Sequence, residues 1–488
     1  MNLKEILTSV DILNSNVLFD KEIGKITSDS RKIEKNDIFV AIQGITRDGN
    51  EYINEALNRG ACVIITDKLS SCLKNVPFIL VKNARSALSN LCSNYYRNPS
   101  KEMKIIAITG TNGKTSTAFY LYNILKTAQK SVGAITTIEC LINDEKIDIG
   151  DGSAVLDKYS AMTTPDSEVL FNIINKMREK GVEYLVMEAS SHALSQGKLD
   201  GLDVDIGAFT NLSSEHMDYH KNMEEYFRAK QILFEKSKIG IVNIDDEYGK
   251  IIKKIYKNKI YTCSYKEKSD FFAVKIKNKQ NMHQFCFING EKASVDIKIP
   301  GEFSIYNALL ASACASVLGI NSEYIAEGIN SLYKIKGRLE KYYDKNIYID
   351  YAHTPIATEN VLNTLKNIEK DKALIVLFGC GGDRDKTKRP EIGKIASKYA
   401  DVLIITSDNP RSENPLEIIK DIVRGVDKNK AHIIIPNRKD AILYATKLLN
   451  ENSVVLLLGK GHETYEIDAN GKHYFDERDV LKEAFAND

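Results

Sequence analysis

The segment Ile105-Ile106-Ala107-Ile108-Thr109-Gly110-Thr111-Asn112-Gly113-Lys114-Thr115 limits most strongly what this chain can fold into. An apolar strand runs into a loop holding two glycines, and a helical pattern over about Lys114–Lys126 leaves it. That order is how a parallel α/β sheet offers backbone N–H groups and a helix N-terminus to a phosphate. Lys114 is placed to reach the β- and γ-phosphates, and the Thr115 hydroxyl to ligate Mg²⁺. The usual G-x-x-x-x-G-K-[ST] pattern asks for glycine at 108, where this chain has Ile. On the residues alone, a strand–turn–helix with an incidental Gly-Lys-Thr therefore stays open.

Around this segment the chain reads as three blocks. Residues 1–100 mix short strands at Asp37–Ile42, Ala61–Thr66 and Phe78–Val81 with helical stretches Glu51–Arg59 and Ala84–Tyr96, and Arg97-Asn98-Pro99-Ser100 forms a linker. Residues 101–334 carry strand patterns at Lys104–Thr109, Glu183–Glu188, Asp205–Thr210 and Gly240–Ile244, several separated by helices. Within that block, alternating segments over 258–300 predict a β-rich insertion ahead of a helix at Tyr306–Leu318. Residues 335–488 repeat the α/β rhythm, with strands Ile347–Asp350, Ala373–Phe378, Val402–Thr406, His432–Ile435 and Val454–Leu458. Four of these five run directly into polar segments beginning at Tyr351, Gly379, Ser407 and Gly459, which should meet at one rim, since open α/β sheets bind ligands at the carboxyl ends of their strands.

Composition narrows the function classes. A chain of 488 residues is long enough for about two to four domains. With 43% hydrophobic and 27% charged residues it is globular, and a formal charge of +1 argues against a general nucleic-acid or acidic-membrane binder. No apolar run reaches the roughly 18–20 residues that span a bilayer, and the first residues, Met-Asn-Leu-Lys-Glu, lack the apolar core of a secretory signal. The eight scattered cysteines form no Cys-x-x-Cys pair, as expected for reduced thiols in a cytoplasmic protein. Glu188 ends an apolar strand and is well placed to hold nucleotide-bound Mg²⁺. If their segment is helical, His216 and His220 would share one face, although an i, i+4 histidine pair taken alone is more often surface or core than ligand.

Several ordered motifs together resemble the Mur ligases and their folylpolyglutamate synthase relatives. They are Thr109–Thr115, Glu188-Ala189-Ser190-Ser191-His192, Thr210-Asn211-Leu212 with His216-Met217-Asp218-Tyr219-His220, and Asp350-Tyr351-Ala352-His353-Thr354-Pro355. The resemblance spans all three blocks. It implies an α/β protein of three domains: an N-terminal UDP-precursor-binding domain (1–100), a central P-loop-type parallel-sheet ATPase domain with the β-rich insertion (101–334), and a C-terminal Rossmann-like, amino-acid-binding domain (335–488). It implies ATP-dependent amide formation through an acyl phosphate on a UDP-N-acetylmuramoyl-dipeptide, with Mg²⁺ required, by a cytoplasmic monomer of peptidoglycan precursor synthesis. Such chemistry asks for positioning and charge neutralisation more than for a protein nucleophile.

The resemblance also assigns residues. Gly110, Thr111, Asn112, Gly113, Lys114, Thr115 and Ser116 would hold ATP, together with Asn307, Arg338, Asp350 and His353. Lys114, Lys230 and His216 would be catalytic, and Thr115, Glu188, His216 and Lys230 would form the metal site. Lys230 matches a lysine that family members carry as a CO₂-derived carbamate, an anionic ligand where an ammonium would repel Mg²⁺; read alone it would be a solvated helix charge. Ser28, Ser30, Thr163, Thr164, Ser190, Gln196 and Lys198 would bind the UDP-precursor; Lys198 stands where the family often has arginine, and Glu215 replaces the aspartate usual before the histidine.

Asp408-Asn409-Pro410-Arg411 matches the signature of family members that add meso-diaminopimelate, with Arg384, Gly459 and Glu463 completing the contacts. Diaminopimelate carries a carboxylate that lysine lacks, so Arg411 would supply a bidentate cation, and Asp408 with Asn409 acceptors for the ammonium. The alternatives are an L-lysine-adding ligase of the same family, a folylpolyglutamate-type ligase, and a non-catalytic P-loop ATP-binding regulatory protein.

Overall fold

The computed structural model describes residues 1–44, 47–69, 73–147, 163–256, 259–279, 282–289 and 291–486. Among these the chain divides into two compact units: Met1–Thr109 with Gln129–Ala208 and Arg228–Gly240, and Gly110–Ala128 with Phe209–Phe227 and Ile241–Asp488.

The first unit holds a five-stranded sheet in the order Ile12–Ser15, Phe78–Val81, Val63–Thr66, Ile38–Ala41, Ile26–Thr27. All its pairs are parallel except that of Ile12–Ser15 with Phe78–Val81. Ile38–Ala41 and Val63–Thr66 are buried along their whole length, which explains why they read as continuous apolar runs. The same unit, which takes the first of these strands as far as Ala208, contains adjacent strands in the order Val204–Phe209, Lys104–Thr109, Tyr184–Glu188, Val132–Ile135, Cys140–Ile142, Glu145–Lys146. Tyr184–Glu188 pairs in parallel on both sides, so Glu188 comes level with Ile108 at the end where the glycine loop begins. The strand expected at Gly240–Ile244 starts earlier, at Ser237, and directly follows the helix Met223–Lys236.

In the second unit the helix Lys114–Thr127 packs against Glu302–Val317 and Ser322–Ser331. The β-rich insertion consists of Ile260–Ser264, Phe271–Lys279, Met282–Asn289 and Glu291–Ile297; residues 258, 280–281 and 290 of the expected insertion lie outside the described residues. The last three strands form an antiparallel meander. The C-terminal sheet runs in the order Glu340–Lys341, Ile347–Asp350, Ser453–Leu458, Ala373–Phe378, Val402–Ile405, His432–Ile434, parallel throughout except for the short first strand. Leu374, Val376 and Phe378 enter one apolar cluster and Ile375 and Leu377 another, so both faces of the central strand are buried. Parallel neighbours in this order bring the carboxyl ends of four strands, and hence the loops after Asp350, Phe378, Ile405 and Leu458, to one edge. The hairpin Tyr465–Asp468/Gly471–Tyr474 follows the last of them.

Candidate active site

The glycine loop is shaped by tight backbone approach. Gly110 sits at φ +142°, and a Cβ there would lie 1.8 Å from Thr210 Oγ1. Thr210 Oγ1 and Asn211 Nδ2 donate to Asn112 O at 2.7 and 3.0 Å, while Thr111 N and Asn112 N donate to Asn211 O and Oδ1. Thr210-Asn211 is thus the floor of the loop. Lys114 folds back over it, donating to the carbonyls of Gly110 and Thr111 at 3.0 and 2.8 Å. Arg338 Nη2 donates to Thr115 Oγ1 at 3.0 Å, with its guanidinium 4.8 Å over the Tyr351 ring. Two cations therefore bracket the first turn of the helix, an arrangement suited to polyphosphate. Asn307 accepts from Thr117 Oγ1 at 3.4 Å. Asp350 is buried, and its two oxygens accept from the Leu339 and Ala352 amides at 2.6 and 2.7 Å. Its first task is to hold the turn after its strand, and burial pushes its carboxyl up.

The histidine segment is not helical. His216 has φ +58°, and His220 N bonds to its carbonyl at 2.8 Å, so 211–222 forms turns rather than a helix. The condition under which both imidazoles would share a helical face is therefore not met. Instead, Glu215, almost fully buried, accepts from His353 Nε2 at 2.7 Å and lies 3.7 Å from His216. Burial works against its charge, but His216, His353 and Lys114 outweigh burial and hold its carboxyl well below the usual carboxylate range. Glu215 and His353 are 138 positions apart, and sequence offers no signal for the pairing.

In the first unit, Glu188 is fully buried and accepts from Thr137 N and Oγ1 at 2.8 and 3.1 Å. Thr137 also reaches Thr163 Oγ1 at 3.1 Å. Thr164 Oγ1 donates to Glu188 O at 2.9 Å and accepts from Ser190 N at 3.0 Å, and Ser190 caps the short helix Ser191–Ser195. Thr163, Thr164, Glu188 and Ser190 are therefore one network. Gln196 closes that helix, and Lys198 pairs with Asp166 at 2.6 Å. Lys230 is 1% exposed, which removes the solvated-charge reading of this lysine. Ser28 donates through N and Oγ to Glu168 at 2.5 and 2.8 Å, and Ser30 Oγ donates to Glu55 at 3.0 Å. Glu168, Glu55 and Thr137 were not foreseen; Glu168 stands in the first turn of the helix after Thr163-Thr164-Pro165, an ordinary place for an acid.

At the rim of the C-terminal sheet, Arg411 adopts φ +53° and its Nη1 donates to Gly382 O at 2.8 Å and Asn409 O at 3.3 Å. Its Nε/Nη2 edge makes no hydrogen bond among the described residues, so a planar fork is available. Burial and the nearby Arg384 lower the Arg411 pKa, against the opposing pull of Asp408 and Glu463. Arg384 donates to its neighbour's carbonyl, Asp383 O, at 2.9 Å. Gly459 has φ +114°, and a Cβ there would meet Asp408 Oδ2 at 2.7 Å. Burial opposes the charge of Asp408, but Lys460, Arg438 and Arg411 hold its carboxyl below the usual range. Pro410 turns the chain towards Arg411. Asn409 differs from its expected role: Oδ1 already accepts from Lys460 Nζ at 3.1 Å and Ile467 N at 3.0 Å, and Nδ2 donates to Glu463 Oε2 at 2.8 Å. It orients Glu463 rather than offering a free acceptor to an ammonium. Lys460 and Arg438, both fully buried, were not anticipated.

Three family models match in order: the Mur ligase family catalytic domain at 22–96, the Mur ligase middle domain at 108–315, and the Mur ligase glutamate ligase domain at 337–461. A relative from Clostridium tetani (strain Massachusetts / E88) is 41% identical over 496 residues, covering 99% of each chain, and one from Clostridioides difficile (strain 630) is 40% identical with 100% of each covered. The chain belongs to the Mur ligase family. Both relatives bear the name UDP-N-acetylmuramoyl-L-alanyl-D-glutamate--2,6-diaminopimelate ligase. A solved structure of a ligase of that name superposes with TM-score 0.68 at 27% identity, covering 100% of this chain and 99% of that one. As a Mur ligase the chain is an ATP-dependent, amide-bond-forming enzyme of three-domain α/β architecture, which removes the regulatory-protein alternative.

Proposed function

We propose that this enzyme joins meso-2,6-diaminopimelate to the D-glutamyl carboxylate of UDP-N-acetylmuramoyl-L-alanyl-D-glutamate in peptidoglycan precursor synthesis. The observation that carries the reading is the unbonded Nε/Nη2 edge of Arg411 beside Asp408 and Glu463, which matches a substrate end bearing both a carboxylate and an ammonium. The names of full-length relatives agree with it.

In this reading the D-glutamyl carboxylate attacks the γ-phosphorus of ATP, the bond to the β-phosphate oxygen breaks, and ADP leaves an acyl phosphate. The amine of diaminopimelate attacks the acyl carbon, loses a proton, and inorganic phosphate departs. Lys114 swings from the loop carbonyls onto the transferring phosphate, and Arg338 neutralises charge beside Thr115. Gly110–Ser116, Asn307 and the turn held by Asp350 and His353 seat the nucleotide. Ser28, Ser30, Thr163, Thr164, Ser190, Gln196 and Lys198 bind the UDP-precursor. Thr115, Glu188, His216 and a carbamylated Lys230 would hold Mg²⁺, which supplies charge neutralisation. A fully buried carboxylate at Glu188 and a buried Lys230 suit that donor set, because a carbamate turns the buried cation into an anion. Arg384, Asp408, Asn409, Pro410, Arg411, Gly459 and Glu463 frame the amino acid. The three family matches fall within the proposed domain bounds 1–100, 101–334 and 335–488. We also read the enzyme as a cytoplasmic monomer.

The test is stoichiometry. With ATP, Mg²⁺, the UDP-dipeptide and meso-diaminopimelate, one phosphate should be released per UDP-tripeptide detected by mass spectrometry, and omitting any one substrate should stop both. Phosphate release without the UDP-dipeptide would overturn the reading.

A further inference from the structure

The rim contains a cation that the proposed reaction does not use. Lys460 follows Gly459 directly, is 0% exposed, and spends its ammonium on three acceptors: Tyr465 O at 2.6 Å, Asn409 Oδ1 at 3.1 Å and Glu463 Oε2 at 3.4 Å. Through Asn409 it reaches Glu463 a second time, since Asn409 Nδ2 donates to the same Oε2. Glu463 Oε2 is thereby saturated. Oε1 accepts only from the Tyr465 hydroxyl, at 3.3 Å, among the described residues, and retains capacity for a ligand. A buried ammonium is expensive unless several anionic or dipolar groups share it, and here all three partners belong to the turn, loop and hairpin that frame the proposed amino-acid site.

We propose that Lys460 is a positioning residue for the amino-acid substrate: its buried ammonium locks Asn409 and Glu463 into one unit and holds the Glu463 carboxyl where its Oε1 accepts from the substrate's distal ammonium. This rests on reading the rim as the amino-acid site. The groups facing Glu463 are Lys460, Asn409, Asp408, Arg411, Tyr465 and Tyr351. Burial, joined by Asp408, outweighs Lys460 and Asn409 and raises the carboxyl above the usual range, so removing Lys460 pushes it further towards the protonated acid. A neutral Glu463 donates where it should accept.

The experiment compares wild type, Lys460→Gln, which keeps donors and drops the charge, and Lys460→Met. Both variants should raise KM for the diamino acid roughly 10- to 100-fold, the range for one lost charge-assisted hydrogen bond, with KM for ATP and for the UDP-dipeptide within about twofold. The variant-to-wild-type KM ratio should shrink as pH rises and Glu463 ionises. In a Glu463→Gln background the Lys460 substitutions should have little further effect, because they act through the missing carboxylate. Equal changes in all three KM values, fold-changes that multiply in the double variant, or chains that fold only with Lys460→Arg would each make Lys460 a purely structural charge and overturn the proposal. The assay uses whichever diamino acid the wild type accepts. A wild type that takes L-lysine would refute the diaminopimelate assignment while leaving the Lys460 comparison intact, since lysine also brings a distal ammonium.

Discussion

Removing the Arg411 guanidinium should collapse discrimination between diaminopimelate and lysine. One of its nitrogens, Nη1, is committed to the Gly382 and Asn409 carbonyls, and its backbone N donates to Ile467 O at 3.0 Å. The free Nε/Nη2 edge can form two parallel bonds to a carboxylate in a partly desolvated place. Such a pair contributes on the order of 2–4 kcal/mol, or roughly 30- to 1,000-fold in specificity. In the wild type, lysine leaves this edge without its anion, which penalises the wrong substrate as well. Arg411→Ala should therefore lower kcat/KM for meso-diaminopimelate by that factor and leave kcat/KM for L-lysine unchanged or slightly raised. Arg411→Lys should not restore the ratio, because an ammonium cannot reproduce the fork. The assay is phosphate release under saturating ATP and UDP-dipeptide, with each amino acid titrated separately. An unchanged ratio in Arg411→Ala would mean that Asp408–Arg411 is only a turn.

Three further outcomes follow from the geometry. Lys114→Ala should lose well over tenfold in turnover with an unchanged thermal transition, since its bonds are to two loop carbonyls only; turnover above about a tenth of wild type would contradict the phosphate role. Lys230→Ala should be nearly inactive and partly rescued by short carboxylic acids that replace the carbamate oxygens; full activity without rescue, with an unmodified lysine mass in the native enzyme, would reject carbamylation. Glu215 has a depressed folded-state pKa, so its stabilisation is complete above the unfolded value near 4.5 and is lost as pH falls through the lower folded value. Denaturation midpoints measured from pH 6 to 3 should fall less steeply for Glu215→Gln than for wild type, and identical slopes would refute the pairing with His353.

Much of this fold was legible because its signals are local. The strands at Lys104–Thr109 and Ala373–Phe378 are buried on both faces and read as apolar runs, and the glycine loop announces itself by a residue that no side chain could replace at Gly110. The rim was legible for the same reason, since each strand ends in an abrupt polar segment. What failed was non-local or conformational. Ile12–Ser15 pairs through an irregular register with no buried residue, so no alternation marks it as a strand. His216 takes a left-handed conformation that i, i+4 spacing does not reveal. The partners Glu168–Ser28, Glu215–His353 and Lys460–Asn409 are 140, 138 and 51 positions apart, and only the folded chain shows which side chains they occupy. For the same reason, the sequence does not show that the Asn409 side chain is shared between Lys460, Ile467 and Glu463.

The most direct test of the central claim is the ratio of kcat/KM for meso-diaminopimelate to that for L-lysine in the wild-type enzyme, with ATP and UDP-N-acetylmuramoyl-L-alanyl-D-glutamate saturating. A ratio of at least roughly 30 is expected from one bidentate carboxylate–guanidinium contact. A ratio at or below one would contradict the account and make this chain a lysine-adding ligase.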